Sequence, residues 1–167
     1  MRRRKYVDLS MGYEAGRLPH SKHNWWFDSD EPAAFDIYDL DGFYSDRYYS
    51  EDHVKPLIVR MIVAALLAVG REALGGDVGS VLDLGCGQGQ FTAALLDSGV
   101  DVAAVEGSEA GFASAIRRGV PVDRIRRHDL RLPLHLDRRF DVVMCTEVAE
   151  HIEPPFAGQL IHTRRFA

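Results

Sequence analysis

Three glycines alternate with other residues where a short apolar run ends, and this spacing suits close contact between the backbone and a ligand. The run is Val81–Leu84, and the glycines are Gly85, Gly87 and Gly89. Glycine tolerates positive φ and lets a ligand approach the main chain. The residues after the turn predict a helix, whose first turn carries unpaired N–H groups and the positive end of the helix dipole. A turn of this kind, between a strand and a helix, is where α/β sheets bind nucleotide-like ligands.

Two acidic residues follow later apolar segments and provide the acceptors that such a ligand needs. Glu106 ends a second apolar run, 21 positions after Gly85, near the distance at which nucleotide-binding folds present an acid to ribose hydroxyls. Asp129 follows a third and weaker run, although Asp is also common in turns. Because a carboxylate accepts strongly from hydroxyl and amino groups, we expect both side chains near the glycine turn.

A fourth apolar run, Phe140–Thr146, is followed by residues that can move protons. These residues are Glu147, Glu150 and His151. His151 is the candidate general base, because an unperturbed imidazole pKa of about 6.5 lets it accept a proton at neutral pH. Glu147 then orients His151 or lines the pocket, and a packing or capping role for His151 is the alternative. No metal site is expected, since the sequence shows no further ligand cluster.

The order of the predicted elements indicates a parallel sheet, because strands that alternate with helices are joined by right-handed crossovers. The predicted strands are Ser80–Leu84, Val102–Glu106, Arg124–His128 and Phe140–Thr146. The predicted helices are 53–74, Gln90–Ser98, Glu109–Arg118 and Phe156–Arg165. The expected fold class is α/β, a Rossmann-like parallel sheet flanked by helices, incomplete with about four strands in the order 3-2-1-4.

The first 52 residues differ in composition from the rest of the chain. Acidic and aromatic side chains dominate residues 24–53, which is too aromatic a composition for a disordered linker. We therefore predict an N-terminal aromatic and acidic arm over residues 1–52 and a binding domain over residues 53–167. The arm either packs against the domain or, in the more specific interpretation, covers a cofactor or helps to form a substrate pocket.

The string DLGCGQG, which begins at Asp83, resembles the first motif of the class I S-adenosylmethionine-dependent methyltransferases. A dinucleotide fingerprint reads G-x-G-x-x-G, whereas the third glycine here comes one residue earlier. The run F-D-V-V with the trailing E-V-x-E-H-I, from Phe140 to Ile152, resembles the fourth motif of the small-molecule members, including the ubiquinone-biosynthesis type of O-methyltransferase. The resemblance covers about residues 57 to 152.

This resemblance implies an S-adenosylmethionine-dependent methyltransferase with a small-molecule acceptor. It implies cofactor contacts at Asp83, Gly85, Cys86, Gly87, Gly89, Glu106, Gly107, Asp129, Leu130, Cys145 and Thr146. Glu106 takes the ribose hydroxyls, Asp129 takes the adenine amino group, and the backbone N–H after Asp129 faces the ring. Backbone at Cys145 to Glu147 borders the methionine part. Related enzymes with Glu-His after this strand support His151 as the base.

Composition and charge argue against nucleic-acid and membrane partners and indicate where in the cell the protein acts. A formal net charge of −5 argues against a nucleic-acid partner. The longest apolar run, residues 57–69, contains Arg60 and is shorter than the roughly 20 residues of a membrane span, so no membrane is expected. The basic residues 1–5 precede no apolar signal core, and two cysteines cannot build a disulfide framework. A cytoplasmic location is therefore expected.

Few residues follow the fourth strand, and a complete domain of the resembled family has more strands than they can supply. The expectation is that the C-terminal part of the sheet is missing or that another chain completes it. Two alternatives to an active enzyme follow. One is a catalytically incompetent cofactor-binding fragment or regulatory module of the same fold. The other is an NAD-dependent oxidoreductase, which the glycine spacing and the lack of a recognisable Tyr-x-x-x-Lys pair after the fourth strand disfavour.

Overall fold

The computed structural model describes residues 40–52, 54–152 and 156, all within one compact unit, Asp39–Ala167. One sheet of four parallel strands has the order β3-β2-β1-β4, with β1 at Ser80–Leu84, β2 at Asp101–Glu106, β3 at Ile125–Arg127 and β4 at Val142–Met144. The α-helices are α1 at Leu40–Phe43, α2 at Pro56–Leu74, α3 at Gln90–Asp97 and α4 at Glu109–Arg117. Short 3-10 turns lie at Tyr48–Ser50, Val122–Arg124 and Ala149–His151. The predicted fold class and strand order are confirmed.

The two faces of the sheet are covered by different elements, as the alternation of side chains along each strand requires. On one face, α2 and α3 pack against Val81 and Val102, while α4 packs against Ala104. On the opposite face, Leu82 and the other inward residues of β1 and β2 pack against the irregular segment 130–140. Because both faces are buried, β1 reads as a nearly continuous apolar run.

Some element boundaries differ from the predicted ones for local reasons. Helix α2 begins at Pro56 rather than at residue 53, because Lys55 is extended and proline suits the first helical turn. Strand β4 begins later than predicted, since the Asp141 side chain accepts hydrogen bonds from the amides of Gly79 and of Ser80, the first residue of β1. The helix predicted over Phe156–Arg165 lies outside the described residues except for its first position, and the arm lies outside them up to residue 39. Across the portion described, no helix combines the length and apolarity of a bilayer crossing.

Parallel pairing brings the ends of all four strands to one edge of the sheet. Leu84 at the end of β1 lies beside Val105, and Glu106 at the end of β2 lies beside Arg127. Strand β4 pairs with β1 in the same direction on the other side. The glycine turn, Glu106 and the segments after β3 and β4 therefore share the carboxyl edge, where open α/β sheets bind ligands.

Candidate functional site

The glycine turn between β1 and α3 takes a conformation that favours glycine. Gly85, Gly87 and Gly89 have φ angles of 73°, 53° and 73°. A Cβ on Gly89 would lie 2.9 Å from both Ala115 Cβ and Val120 Cγ2, so its absence lets α4 approach the turn closely. The sequence pattern thus reflects both a left-handed backbone and a tight contact with α4.

The amides of the turn are largely satisfied inside the protein. Gly85 and Cys86 both donate to the Val105 carbonyl oxygen, at 2.8 and 3.0 Å. Gly87 donates to Glu106 Oε2 at 2.8 Å. The N–H groups at these three positions therefore have partners within the protein. The carbonyl oxygens of Cys86, Gln88 and Gly89 also accept within the protein, from Gly89, Arg118 and Ala93 respectively.

Glu106 is the acid that the structure places at the turn. Its side chain is buried, and its Oε1 accepts from the amide and the hydroxyl of Ser108, at 2.9 and 2.8 Å. The Ser108 hydroxyl in turn accepts from Gly111 at 3.1 Å and caps the N-terminus of α4. Gly107 lies between Glu106 and Ser108 in the chain, and its carbonyl oxygen accepts a hydrogen bond from the Arg127 guanidinium. The carboxylate is thus oriented by the start of α4 as well as by the turn.

Tyr49 lies over the glycine turn, a contact that sequence reasoning did not identify. Its Cε1 lies 3.6 Å from the point where a Cβ on Gly87 would stand, and its phenol hydrogen-bonds to the Ser108 side chain. Burial, together with the nearby Glu106 carboxylate, raises the pKa of the Tyr49 phenol. The phenol therefore stays protonated and able to donate beside Glu106.

Asp83 supports the turn from beneath. The residue is 2% exposed, and the Thr92 hydroxyl of α3 donates to its Oδ2 at 2.6 Å. Burial raises the pKa of Asp83 to about 7, the Thr92 hydrogen bond opposes that rise, and the charge of Glu106 adds to it. Asp83 therefore ties β1 to α3 beneath the glycine turn.

The segment after β3 places Asp129 beside the end of β2, because the His128 amide donates to the Glu106 carbonyl oxygen at 2.9 Å. Both oxygens of Asp129 accept from the Arg131 guanidinium, with Nε at 2.9 and 3.0 Å and the second nitrogen at 2.7 Å. Partial burial raises the pKa of Asp129, but these hydrogen bonds outweigh it and hold the pKa below its usual value. The Leu130 side chain belongs to the buried core.

The segment after β4 turns back onto the glycine turn. Cys145 and Thr146 follow β4, which ends at Met144 and not at Thr146 as predicted; Cys145 is therefore exposed rather than buried in a strand, and Thr146 is half-buried. Glu147 has a φ of 55°, which lies in the left-handed region. Residues other than glycine rarely adopt this conformation, and those that do are often found at functional sites. The next residue, Val148, fills the space where a Cβ on Gly85 would stand.

His151 is connected to the glycine turn through aromatic rings. The half-buried His151 ring meets the Tyr44 ring edge-on at 6.2 Å, and Tyr44 stacks against Tyr49 at 6.4 Å. Tyr49 lies over Gly87, so the structure brings the candidate base and the turn to the same edge. Within residues 40–52 and 54–152, no three His, Cys, Asp or Glu side chains are grouped to hold a metal ion.

Ser108 and Tyr49 complete the site but were absent from the predicted set. Ser108 carries a recognisable signal, because it follows a strand and precedes a helix at the capping position. Tyr49 is one of several rings in the aromatic segment, and no sequence pattern shows which ring reaches the turn.

Curated proteins similar to this chain are ubiquinone biosynthesis O-methyltransferases. The Azotobacter vinelandii protein is 33% identical over 113 residues, which are 65% of this chain and 44% of the relative. The Pseudomonas aeruginosa protein is 34% identical over 89 residues, which are 51% of this chain and 38% of the relative. The chain therefore spans less than half the length of these relatives.

Solved structures of methyltransferases share the fold. The magnesium protoporphyrin IX methyltransferase of Synechocystis PCC 6803, solved with bound SAH, is 25% identical with a TM-score of 0.56 over 79% of this chain and 65% of that one. An amino pentose methyltransferase from Micromonospora echinaspora has a TM-score of 0.55 at 21% identity, over 74% of this chain and 50% of that one, and shows the fold alone.

A family model described as a methyltransferase domain matches residues 59–160, which is more than half of the 167 residues. The match includes the glycine turn, Glu106, Asp129 and His151. The resemblance inferred from the sequence is confirmed, and the family favours a methyltransferase over the nicotinamide alternative. S-adenosylmethionine is the methyl donor of this family, and the chain belongs to the methyltransferase domain family.

Proposed function

We propose that this chain binds S-adenosylmethionine at the carboxyl edge of its sheet and transfers the methyl group to a small molecule. The observation that carries the proposal is the hydrogen bond from Gly87 to Glu106, which fixes a buried carboxylate at the glycine turn. The similarity to methyltransferases of small molecules supports the class of acceptor.

The residues at this edge fit such a donor. Gly85 and Gly87 bring main chain without side chains of its own next to Glu106, and the Tyr49 ring and Val148 border the space left for a ribose. A carboxylate has about four acceptor positions; Ser108 occupies two on Oε1 and Gly87 occupies one on Oε2, which leaves one on Oε2 for a ribose hydroxyl. Carbonyl oxygens of the turn suit the ammonium group of the methionine part, because a cation prefers acceptors.

Each remaining predicted residue has a role in this proposal. Asp83 supports the turn from beneath, and Cys86 and Gly89 shape it. Gly107 and Leu130 offer main chain beside the ribose and the adenine. Asp129, held by Arg131, orders the segment that faces the adenine and accepts from its amino group. Cys145 and Thr146 border the methionine part.

The bound donor supplies an electrophilic methyl group on its sulfonium. The protein aligns the acceptor with that group, and such orientation contributes up to roughly 7–11 kcal/mol. We assign His151 as the base that removes a proton from the acceptor, with Glu147 orienting it or lining the pocket. The edge-on contact with Tyr44 supports this assignment, because it fixes the imidazole on the side of the turn.

An N-terminal arm and the open edge of the sheet surround the proposed site. Residues 1–52 form the arm and residues 53–167 form the donor-binding domain. Strand β4 lies at the edge of the described sheet, and another chain that pairs beside it would complete the sheet. The protein acts in the cytoplasm, without nucleic-acid or membrane partners. The buried free thiol of Cys86 and the negative charge support this setting.

Methyl transfer from labelled S-adenosylmethionine to a panel of small molecules with ionisable hydroxyl or amino groups tests the proposal. Label in an acceptor, blocked by excess S-adenosylhomocysteine, supports it. Donor binding without transfer to any acceptor supports the alternative, a cofactor-binding module of the same fold. Absence of both contradicts the proposed function.

A further inference from the structure

The segment Asp41–Asp52, here called the strap, is attached at both ends to the edge that carries the glycine turn. At its first end, Asp41 accepts from the Glu109 amide at 2.6 Å and pairs with the Arg127 guanidinium at 2.6 Å. At its other end, Asp52 pairs with Arg118 at 2.5 Å. Between these ends lies Tyr49. Acidic residues of the strap thus meet arginines on β3 and at the end of α4.

Two glutamines, one in the glycine turn and one at the start of α3, bind main chain at the second end of the strap and just after it. Gln88 is 4% exposed, and its side-chain amide donates to the Glu51 carbonyl oxygen at 3.2 Å. Gln90 is also buried, donates to the Val54 carbonyl oxygen at 2.6 Å and accepts from the Val54 amide at 3.3 Å. Buried side-chain amides need hydrogen-bond partners, and the main chain at Glu51 and Val54 provides partners for Gln88 and Gln90.

Arg118 connects the glutamine of the turn with the acid of the strap. Its Nε donates to the Gln88 carbonyl oxygen at 2.9 Å, and a terminal nitrogen donates to Gln88 Oε1 at 3.0 Å. The same terminal nitrogen donates to Asp52. The guanidinium therefore fixes the orientation of the Gln88 amide, which leaves the amide nitrogen directed at Glu51. A lysine has no planar fork and cannot make all these contacts at once.

The position of Tyr49 depends on this attachment. Tyr49 lies two residues before Glu51, and its ring lies over Gly87 with its phenol on Ser108. Ser108 and Gly87 are also the residues that orient Glu106. The Tyr49 ring therefore borders the place beside Glu106 where the proposed donor binds.

We propose that Arg118 is a positioning residue for donor binding, which locks the strap so that Tyr49 forms the outer wall of the donor site. This inference rests on the proposed function and adds to it a residue outside the site that controls donor retention. In the locked state the donor leaves slowly, because the Tyr49 ring, which lies against Gly87, closes the outer side of the site at Glu106. Release of the strap opens that wall.

The test compares Arg118→Gln and Arg118→Lys with Arg71→Gln, all in the full chain. Arg71 provides a matched control, because it forms an exposed ion pair with Asp77 at 2.8 Å, before the amino end of β1. Hydrogen exchange measures how fast the amides of residues 48–54 exchange with solvent. Calorimetry measures the dissociation constant of S-adenosylhomocysteine, and stopped-flow kinetics measure its off-rate. Denaturant unfolding separates loss of the strap from loss of the fold.

We expect faster exchange at residues 48–54 in Arg118→Gln and a dissociation constant raised by roughly tenfold through a faster off-rate. For Arg118→Lys, we expect an exchange rate and a dissociation constant between those of Arg118→Gln and the wild type. For Arg71→Gln, we expect both values to match those of the wild type. Two results overturn the inference while leaving the proposed function intact. In one, Arg118→Gln binds as the wild type does; in the other it binds more tightly, which would mean that Tyr49 blocks the donor. No binding by the wild type overturns both.

Discussion

The amide of Gly87 donates to Glu106 Oε2 at 2.8 Å, which joins the turn after β1 to the end of β2. The contact lies at the carboxyl edge of the sheet, beside the N-terminus of α4. Because this hydrogen bond links the Glu106 carboxylate to the main chain of the turn, a change in the conformation of the turn would also move the carboxylate that accepts from a ribose.

Replacing Glu106 with glutamine should weaken donor binding, because the neutral amide accepts less strongly and turns a donor toward Gly87 or Ser108. We expect the dissociation constant for S-adenosylhomocysteine to rise by at least about tenfold, with a modest loss of stability from the mismatched buried group. Calorimetry provides the measurement, and the exposed Glu109→Gln, on the first turn of α4, is the control. Equal affinity in Glu106→Gln and the wild type would remove Glu106 from the site.

The fold should lose stability through Asp83 as the pH rises. The pKa of Asp83 is about 7 in the fold against an ordinary value of 3.8, so between these values the folded state holds a proton that the unfolded state has released. The free energy of unfolding therefore falls with rising pH across this window, by on the order of 4 kcal/mol at most.

Asp83→Asn removes this titration. Its free energy of unfolding relative to the wild type should increase from acidic to neutral pH, as measured by urea denaturation at several pH values. Asp97→Asn, at an exposed position on α3, should show no such trend. A constant difference between Asp83→Asn and the wild type over the whole range would contradict the assignment.

Gly89→Ala should destabilise the protein more than Gly99→Ala does. Both glycines have positive φ, at 73° and 80°, and share the conformational penalty of roughly 1–2 kcal/mol. A Cβ on Gly89 also meets Ala115 and Val120, whereas nothing lies within 4 Å of one on Gly99. Overpacking adds about 1–3 kcal/mol. Thermal or denaturant unfolding measures the difference, and equal losses would show that α4 does not press on the turn.

His151→Ala should slow methyl transfer without weakening donor binding. Loss of a general base lowers kcat by roughly 10²–10⁴-fold and removes its limb from the pH–rate profile. The exposed His135→Ala is the control. If His151→Ala keeps its rate and its pH profile but unfolds more easily, the imidazole has the packing role that the sequence also allowed.

The sequence predicts the sheet well because its signals are local. Alternation of strands and helices, with glycines at the ends of helices, predicted a parallel sheet, and the strand order came with the Rossmann-like fold class. The glycine turn and Glu106 follow from spacing. The role of Tyr49 is not local, because it depends on Arg118 and Gln88, far along the chain from the strap. The sequence also did not predict how short β4 is. Asp141 belongs to the apolar run from which the strand was predicted, but its side chain accepts a hydrogen bond from Ser80 at the start of β1.

Competitive calorimetric titration with S-adenosylmethionine and NAD tests the central claim most directly. The account predicts saturable binding of S-adenosylmethionine that S-adenosylhomocysteine displaces and NAD does not. Saturable binding of NAD with no heat from S-adenosylmethionine would contradict it.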